Sequence, residues 1–416
     1  MLKPRNLFDP IWQHLPDKRF TIITGARQVG KTSLLRMLLR RLQDENQTVH
    51  YLTLEDTFVR KSIDEHPDKV FDHLPQRPQL FLKGASAAPF YLLIDEVQYA
   101  ADPTHFLKFL YDRYEGNLKV VATGSSAFYI DRKFTDSLAG RKRIFQLWTL
   151  TFAETLAFLD REDLLAEIKL KQERPEYQSP HWGEIQQRFM EYLTFGGYPA
   201  VALEPNPNEK KFLLDELKNA YIKRDLLEAG VEKPNKFYLL FQLLADQVGS
   251  LTNRHELSKT TQLDAKTVDN YLYILEKCFH ISQVRPFYRN IQKELTKMPK
   301  IYLNDLGLRN ALLNRFDNPA NRADKGQLLE NFFFCQFRDQ FGPEQVRFWR
   351  TTAQDELDFV VEQSFGNGRA FEVKWNPLNF KPGSYAKFTD TYPNFPVRCL
   401  GAEDFHQFET VETGEK

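Results

Sequence analysis

The 416-residue chain lacks several things that would narrow its class at once. It has three cysteines, Cys278, Cys335 and Cys399, too few and too scattered for a disulfide framework or a zinc cluster, so a reducing compartment is expected. It has no surplus of either charge, since 56 Lys and Arg balance 56 Asp and Glu. That excludes a uniformly basic nucleic-acid coat and an acidic tail protein, and leaves only a local basic patch open. No stretch reaches the roughly 18 apolar residues of a membrane span, because the run from Phe90 to Val97 already carries Asp95 and Glu96. The first dozen residues show neither the apolar core nor the small-residue cleavage site of a signal peptide, and internal repeats and low-complexity tracts are absent. The expectation is a soluble, cytoplasmic protein without a membrane partner, of about three domains by length.

What is present supports folded domains: 42% hydrophobic and 27% charged residues are enough to build cores and argue against widespread disorder. Short β-rich apolar runs alternate with helical patterns up to about residue 150, the pattern of a parallel α/β sheet. The strands are expected at Arg19–Thr24, Val49–Leu54, Phe90–Ile94, Leu118–Thr123 and Ile144–Leu150. Between the first two, leucines at 34, 35, 38, 39 and 42 mark an amphipathic helix. Residues 151 to about 227 read as mostly helical, 236–300 as three helices and a basic hairpin, and the chain from Ile301 returns to strands. Phenylalanine, 35 residues in all, is frequent downstream of position 320.

Residues Gly25-Ala26-Arg27-Gln28-Val29-Gly30-Lys31-Thr32 fit G-x-x-x-x-G-K-[ST] at every fixed position. The glycines let backbone N–H groups turn inward around an anion, and the helix that follows, from Lys31, Thr32 and Ser33 onward, offers its positive end to phosphates. Lys31 is expected on the β- and γ-phosphates of ATP, and the Thr32 hydroxyl on Mg²⁺. An apolar strand ends in Asp95 and Glu96, the first placed for the Mg²⁺ shell and the second to polarise the attacking water. The strand Leu118–Ala122 runs into Thr123-Gly124-Ser125-Ser126, where Ser125 is a candidate γ-phosphate sensor and a plain Ser/Gly loop the alternative. Arg141, in the basic cluster Arg141-Lys142-Arg143, suits an arginine finger reaching a neighbouring subunit; for Lys142 and Arg143 a solvated turn is the competing reading.

Together with Thr123–Ala127, Ala139–Arg141, Phe195–Pro199 and Tyr221–Leu227, these motifs resemble a prokaryotic AAA+ ATPase family over nearly the whole chain. In that family a winged helix and a C-terminal domain of unknown function resembling the PD-(D/E)XK nucleases follow the ATPase. The resemblance implies an α/β fold: a P-loop AAA+ core at 1–150, a helical lid or linker at 151–235, a winged helix at 236–300 and a restriction-endonuclease-like domain at 301–416. It also implies ATP and Mg²⁺ as cofactors and a homo-oligomer, a hexameric ring. For Gly196-Gly197-Tyr198-Pro199 it adds a nucleotide-sensing role at Pro199 beside the simpler reading of a helix stop.

Asn253–Lys259 followed by Leu263–Leu272 reads as helix–turn–helix, with Asp264 capping the second helix and Val268, Leu272 and Leu275 on its apolar face. Lys266, Thr267, Asn270 and Tyr273 take the face that would meet DNA. Arg285, Arg289, Lys293, Lys297 and Lys300 form a basic wing, whereas Asp269 and Glu276 oppose tight base reading. Farther on, alternation puts Glu372 and Lys374 on one strand face, and a hairpin through Gly366-Asn367-Gly368 brings Asp358 alongside. Asp358 and Glu372 are candidate metal ligands, Lys374 a candidate catalytic residue for phosphodiester hydrolysis, and Glu330 resembles the acid that completes such sites. Two functions compete: an ATP-driven motor on duplex or branched DNA, and a nucleotide-controlled assembly switch whose appended domains bind protein.

Overall fold

The computed structural model describes residues 3, 5–80, 89–124, 138–228, 230–288, 298–351 and 353–408, with the backbone alone at 220–228. The chain forms two compact units, Met1–Trp148 with Lys277–Phe279, and Thr149–Glu276 with His280–Lys416.

In the first unit a five-stranded sheet runs β2-β3-β4-β1-β5, with β1 Phe20–Thr24, β2 Val49–Thr53, β3 Phe90–Asp95, β4 Leu118–Gly124 and β5 Lys142–Gln146. Every pairing in it is parallel. β1, β3 and β4 are buried at every position, as strands covered on both faces must be, and this is why they read as unbroken apolar runs. Helix α1 spans Phe8–His14 and α2 spans Lys31–Asp44. Leu34, Leu35, Leu38 and Leu42 of α2 are buried, while Leu39 is only partly so. α3 (Thr57–Glu65) and α4 (Pro103–Arg113) begin on the side-chain caps Asp56 and Asp102.

The last strand is shifted from its expected place. It begins at Lys142, paired with Phe20, and ends at Gln146, paired with Thr24. As the edge strand it is half exposed, and an edge tolerates charged side chains that an interior strand would not. Lys142 and Arg143 therefore lie in the strand rather than in a turn before it.

The second unit opens with helices α5 Phe152–Phe158, α6 Glu162–Glu173, α7 Trp182–Phe195, α8 Pro199–Leu203, α9 Pro207–Glu228, α10 Pro234–Asp246, α11 Arg254–Thr261 and α12 Ala265–Lys277. A mixed sheet follows in the order β11-β10-β9-β8-β6-β7, with β6 Ile281–Pro286, β7 Lys300–Leu303, β8 Val346–Arg350, β9 Glu356–Ser364, β10 Asn367–Val373 and β11 Val397–Leu400. β6 pairs antiparallel with β7 and parallel with β8, so one sheet holds both the strands after the helical series and the C-terminal hairpin. Helices α13 (Leu306–Leu313), α14 (Lys325–Phe341) and α15 (Ala386–Thr391) complete the unit. The phenylalanines fill its core: Phe332, Phe333, Phe334 and Phe337 of α14 are buried, Phe334 stacks on Tyr302, and Phe189 stacks on Phe405 at 4.1 Å.

Gly196 ends α7 with φ +71° and Pro199 starts α8, which is the helix stop. A Cβ at Gly196 would lie 2.4 Å from Asp305 Oδ1, and one at Gly197 would lie 2.1 Å from the Leu150 carbonyl. The Gly197 N–H donates to Asp305 Oδ2 at 2.9 Å, and the other Asp305 oxygen caps α13 through the Leu308 N–H. Packing within this unit alone thus requires both glycines.

Candidate functional site

The loop between β1 and α2 has the form its sequence demands. Gln28 and Gly30 have φ of +57° and +98°, and a Cβ at Gly25 would lie 2.1 Å from the Leu147 carbonyl oxygen, so this position admits no side chain. Ala26 and Val29 are buried, Arg27 is partly exposed, and Ser33 is exposed on the first turn of α2. Lys31 is 5% exposed, and its Nζ donates to the Gly25 and Ala26 carbonyls at 3.0 and 2.8 Å. The loop is braced by Arg5, which the sequence did not single out: it donates to the Val29 carbonyl at 2.8 Å and the Trp148 carbonyl at 2.9 Å. One arginine thereby ties the phosphate loop to the segment after β5.

Asp95, at the end of β3, gathers hydroxyls. Thr32 Oγ1 donates to Asp95 Oδ2 at 2.8 Å and the Tyr51 hydroxyl to the same oxygen at 3.1 Å, while Thr123 Oγ1 donates to Asp95 Oδ1. Burial, then the charge of Asp95, pushes the Tyr51 phenol up to about 12, so it stays a neutral donor. Thr123 also accepts from the Glu96 N–H at 3.0 Å, so one hydroxyl on β4 joins the Asp95 carboxylate to the Glu96 backbone. Glu96 has φ +57°, a conformation that an L-residue adopts only under constraint and that clusters at functional sites; its carboxylate accepts from Gln98 Nε2. Thr32 and Asp95 fit Mg²⁺, which takes hard oxygen donors, typically one or two side chains with water and phosphate completing the shell. Tyr51 was not expected there, because it belongs to no contiguous motif; Thr123 opens the Thr123-Gly124-Ser125-Ser126 segment, in which Ser125 was the candidate.

Ser125 lies outside the described residues. Arg141 is described: its Nε donates to Asp112 Oδ1 at 2.8 Å, and its guanidinium lies over the Tyr111 ring.

In the second unit, Asp264 accepts from the Thr267 N–H at 2.9 Å and caps α12. Val268, Leu272 and Leu275 are buried, while Lys266, Asn270 and Tyr273 are exposed and Thr267 is partly so. The two acids on this helix are engaged, Asp269 with Arg254 at 2.9 Å and Glu276 with Gln283 at 3.1 Å. Arg285 is exposed; Arg289, Lys293 and Lys297 lie outside the described residues. Lys300 does not belong with them. It is 1% exposed, and its Nζ lies 2.5 Å from Glu356 Oε1, 3.4 Å from Glu330 Oε1 and 3.5 Å from Asp358 Oδ1. Reading Lys300 as part of an exposed wing is corrected by its place at the start of a buried strand.

The hairpin β9–β10 brings Asp358 beside Glu372 as the alternation requires, and Asp358 Oδ2 accepts from the Val373 N–H at 2.8 Å. Lys374 donates to Glu372 Oε1, and Glu330 on α14 accepts from the Tyr302 hydroxyl at 2.5 Å. Burial, then the neighbouring Asp358, pushes Glu330 up to about 8 and Glu372 up to about 7. Lys300 goes the other way from an ordinary buried lysine. Burial alone would lower it, but Glu330, Asp358 and Glu356 outweigh that and hold it charged. Glu372 Oε2 is buried without a hydrogen-bond partner, yet one such oxygen does not make an octahedral shell. Among the described residues no group of three or more His, Cys, Asp or Glu side chains is arranged to hold a metal ion. Glu330, Asp358 and Glu372, with an ammonium among them, do not fit a divalent ion as they stand.

Residues 17–156 match the family model described as an AAA domain. The first unit thus has a P-loop AAA+ ATPase fold, an α/β core on a parallel sheet. Residues 186–318 and 325–405 match two domains of unknown function, DUF8612 and DUF4143. An uncharacterized protein of Mycobacterium tuberculosis is 27% identical over 360 residues, covering 85% of this chain and 69% of that protein. One from Methanocaldococcus jannaschii is 26% identical over 77% of this chain and 69% of its own length; one from Haemophilus influenzae is 25% identical over 81% and 78%. The ADP form of the Aeropyrum pernix ORC2 protein superposes with a TM-score of 0.37 at 12% identity, covering 76% of this chain and 93% of that one. Among the described residues no helix is long and apolar enough to cross a membrane.

Proposed function

We propose that the chain binds and hydrolyses ATP in its first unit and, as a homo-oligomeric ring, uses that turnover to act on duplex or branched DNA. The observation that carries the ATP reading is the Thr32–Asp95 hydrogen bond beside a phosphate loop whose lysine is already folded inward. In this reading Lys31 exchanges the loop carbonyls for phosphate oxygens, and the N–H groups at the start of α2 hold the anion. Mg²⁺, held through Thr32 and Asp95, neutralises phosphate charge when bound. Glu96 accepts a proton from the attacking water, and its backbone link through Thr123 fixes where that carboxylate starts from. Arg141 is the proposed finger for a neighbouring subunit's γ-phosphate, which requires it to leave Asp112. Ser125 remains the proposed sensor.

The DNA reading is supported by the exposed Lys266, Asn270 and Tyr273 on α12, by Arg285, and by helices α10–α12 running into the strand pair β6/β7, the order of a winged helix. Pairing of Asp269 with Arg254 lowers the repulsion that acid would exert on phosphate. A second reading, a nucleotide-controlled switch that binds protein, is favoured by the burial of Lys300, which removes one cation from the expected wing. ATP turnover with and without duplex or branched DNA, at low and high salt, decides between them. DNA stimulation that fades with salt supports the motor, because phosphate contacts release counterions; turnover indifferent to DNA at every salt supports the switch.

A further inference from the structure

The carboxylates around the β9–β10 hairpin come from separate parts of the chain: Glu330 from α14, Glu356 and Asp358 from β9, and Glu372 from β10. Asp358 and Glu372 are buried and Glu330 and Glu356 partly so; acids held this closely need a cation, and the structure supplies one from within the protein. Lys300 Nζ reaches Glu356, Asp358 and Glu330 at 2.5, 3.5 and 3.4 Å. Its backbone is fixed from both sides, paired with Val284 of β6 on one edge and bridged to Leu251 on the other. Withdrawing the ammonium would mean disturbing a buried strand rather than turning a surface side chain.

We infer that Lys300 is the resident cation of this carboxylate cluster, occupying by its ammonium the place a divalent metal would otherwise take, so that the C-terminal domain holds its ligands without metal-dependent phosphodiester cleavage. The charges agree. Glu330, Glu356, Asp358 and Glu372 are opposed by Lys300, by Lys374 on Glu372 and by Arg350 on Glu356 at 2.5 Å. One negative charge is left over among four acids and three cations, and burial with the neighbouring Asp358 pushes the Glu330 carboxyl up. Acids already paired with three cations give little attraction to a divalent ion, and the ammonium among them repels it. Hydrolysis at such a site draws on a metal to generate the nucleophile and stabilise the developing charge; an ammonium in that position can stabilise charge but has no coordination site at which to bind and acidify the attacking water. This inference is independent of the ATP site, whose failure would leave it untouched.

The test is Mn²⁺ binding to the full-length, nucleotide-free chain, read by electron paramagnetic resonance, in the native protein and in Asp358→Asn, Lys300→Ala and the double variant. The native chain and Asp358→Asn are expected to bind Mn²⁺ indistinguishably. Lys300→Ala is expected to gain about one ion per chain, lost again in the double variant, as vacated carboxylates take a hard cation. Mn²⁺ binding by the native chain that Asp358→Asn removes overturns the inference, and so does a folded Lys300→Ala that gains none. Should Lys300→Ala fail to fold, the native chain against Asp358→Asn still decides the matter, with equal binding upholding the inference.

Discussion

Asp95 and Asp358 are buried to a similar degree, 4% and 8% exposed, and both were expected to hold a metal. Asp95 is faced by the hydroxyls of Thr32, Tyr51 and Thr123. These are neutral, can rotate, and can become acceptors when a cation arrives. Asp358 is faced by the Lys300 ammonium and by the Val373 N–H, a full charge and a fixed donor. The first acid is satisfied by groups that a cation can join or displace; the second already has its cation. Burial of a carboxylate therefore does not announce a metal site. What distinguishes the two is the charge carried by the neighbours.

The largest expected effect falls on the first unit. Lys31→Ala should reduce ATP turnover by about 10²-fold or more, since a preorganised cation at the phosphates is lost, and should weaken nucleotide binding. Unchanged steady-state hydrolysis by the purified variant would remove the basis for calling this site catalytic. Glu96→Gln should slow turnover by roughly 10²–10⁴-fold, the usual contribution of a general base, while equilibrium ATP binding persists because Asp95 and Thr32 are intact. Loss of binding along with turnover would show that Glu96 positions the nucleotide rather than the water.

In the second unit the expected effects are on stability. Lys300→Ala removes the ammonium that faces the buried Asp358 and should cost about 3–5 kcal/mol in denaturant unfolding. A cost below ~1 kcal/mol would place Lys300 among ordinary surface pairs. The smallest effect is a pH dependence. Glu330 is raised from 4.5 to about 8, so the folded state keeps a proton that the unfolded chain has released. The stability this contributes is complete below about pH 4.5 and is lost as pH rises through 8. Glu330→Gln should flatten that part of the stability curve, and an unaltered slope would assign the proton elsewhere.

How much of this was legible in the sequence follows from how far apart the partners lie. The phosphate loop is contiguous, and the strand ending in Asp95 is a fully buried apolar run, so both could be read directly. The pairing of Asp358 with Glu372 was legible because a Gly-Asn-Gly turn and period-two alternation fix a hairpin register. Lys300 was misread because it follows a stretch of basic residues, and only the tertiary fold carries it to Glu330 and Glu356. Arg5 and Tyr51 carry no local signal at all: each acts on a loop or strand reached only after the sheet has formed. Gly196 and Gly197 were legible as a helix stop, but their close approach to Asp305 and Leu150 was not. The last sheet strand was placed late because its first residues are charged, which an edge permits.

The contrast between the two acids reduces to a count of divalent ions. The full-length chain should be titrated with Mn²⁺ in the presence of a non-hydrolysable ATP analogue, with Asp95→Asn and Asp358→Asn measured alongside. The account predicts about one tightly held ion per chain, abolished by Asp95→Asn and unaffected by Asp358→Asn. A second ion of comparable affinity that disappears with Asp358→Asn would contradict it.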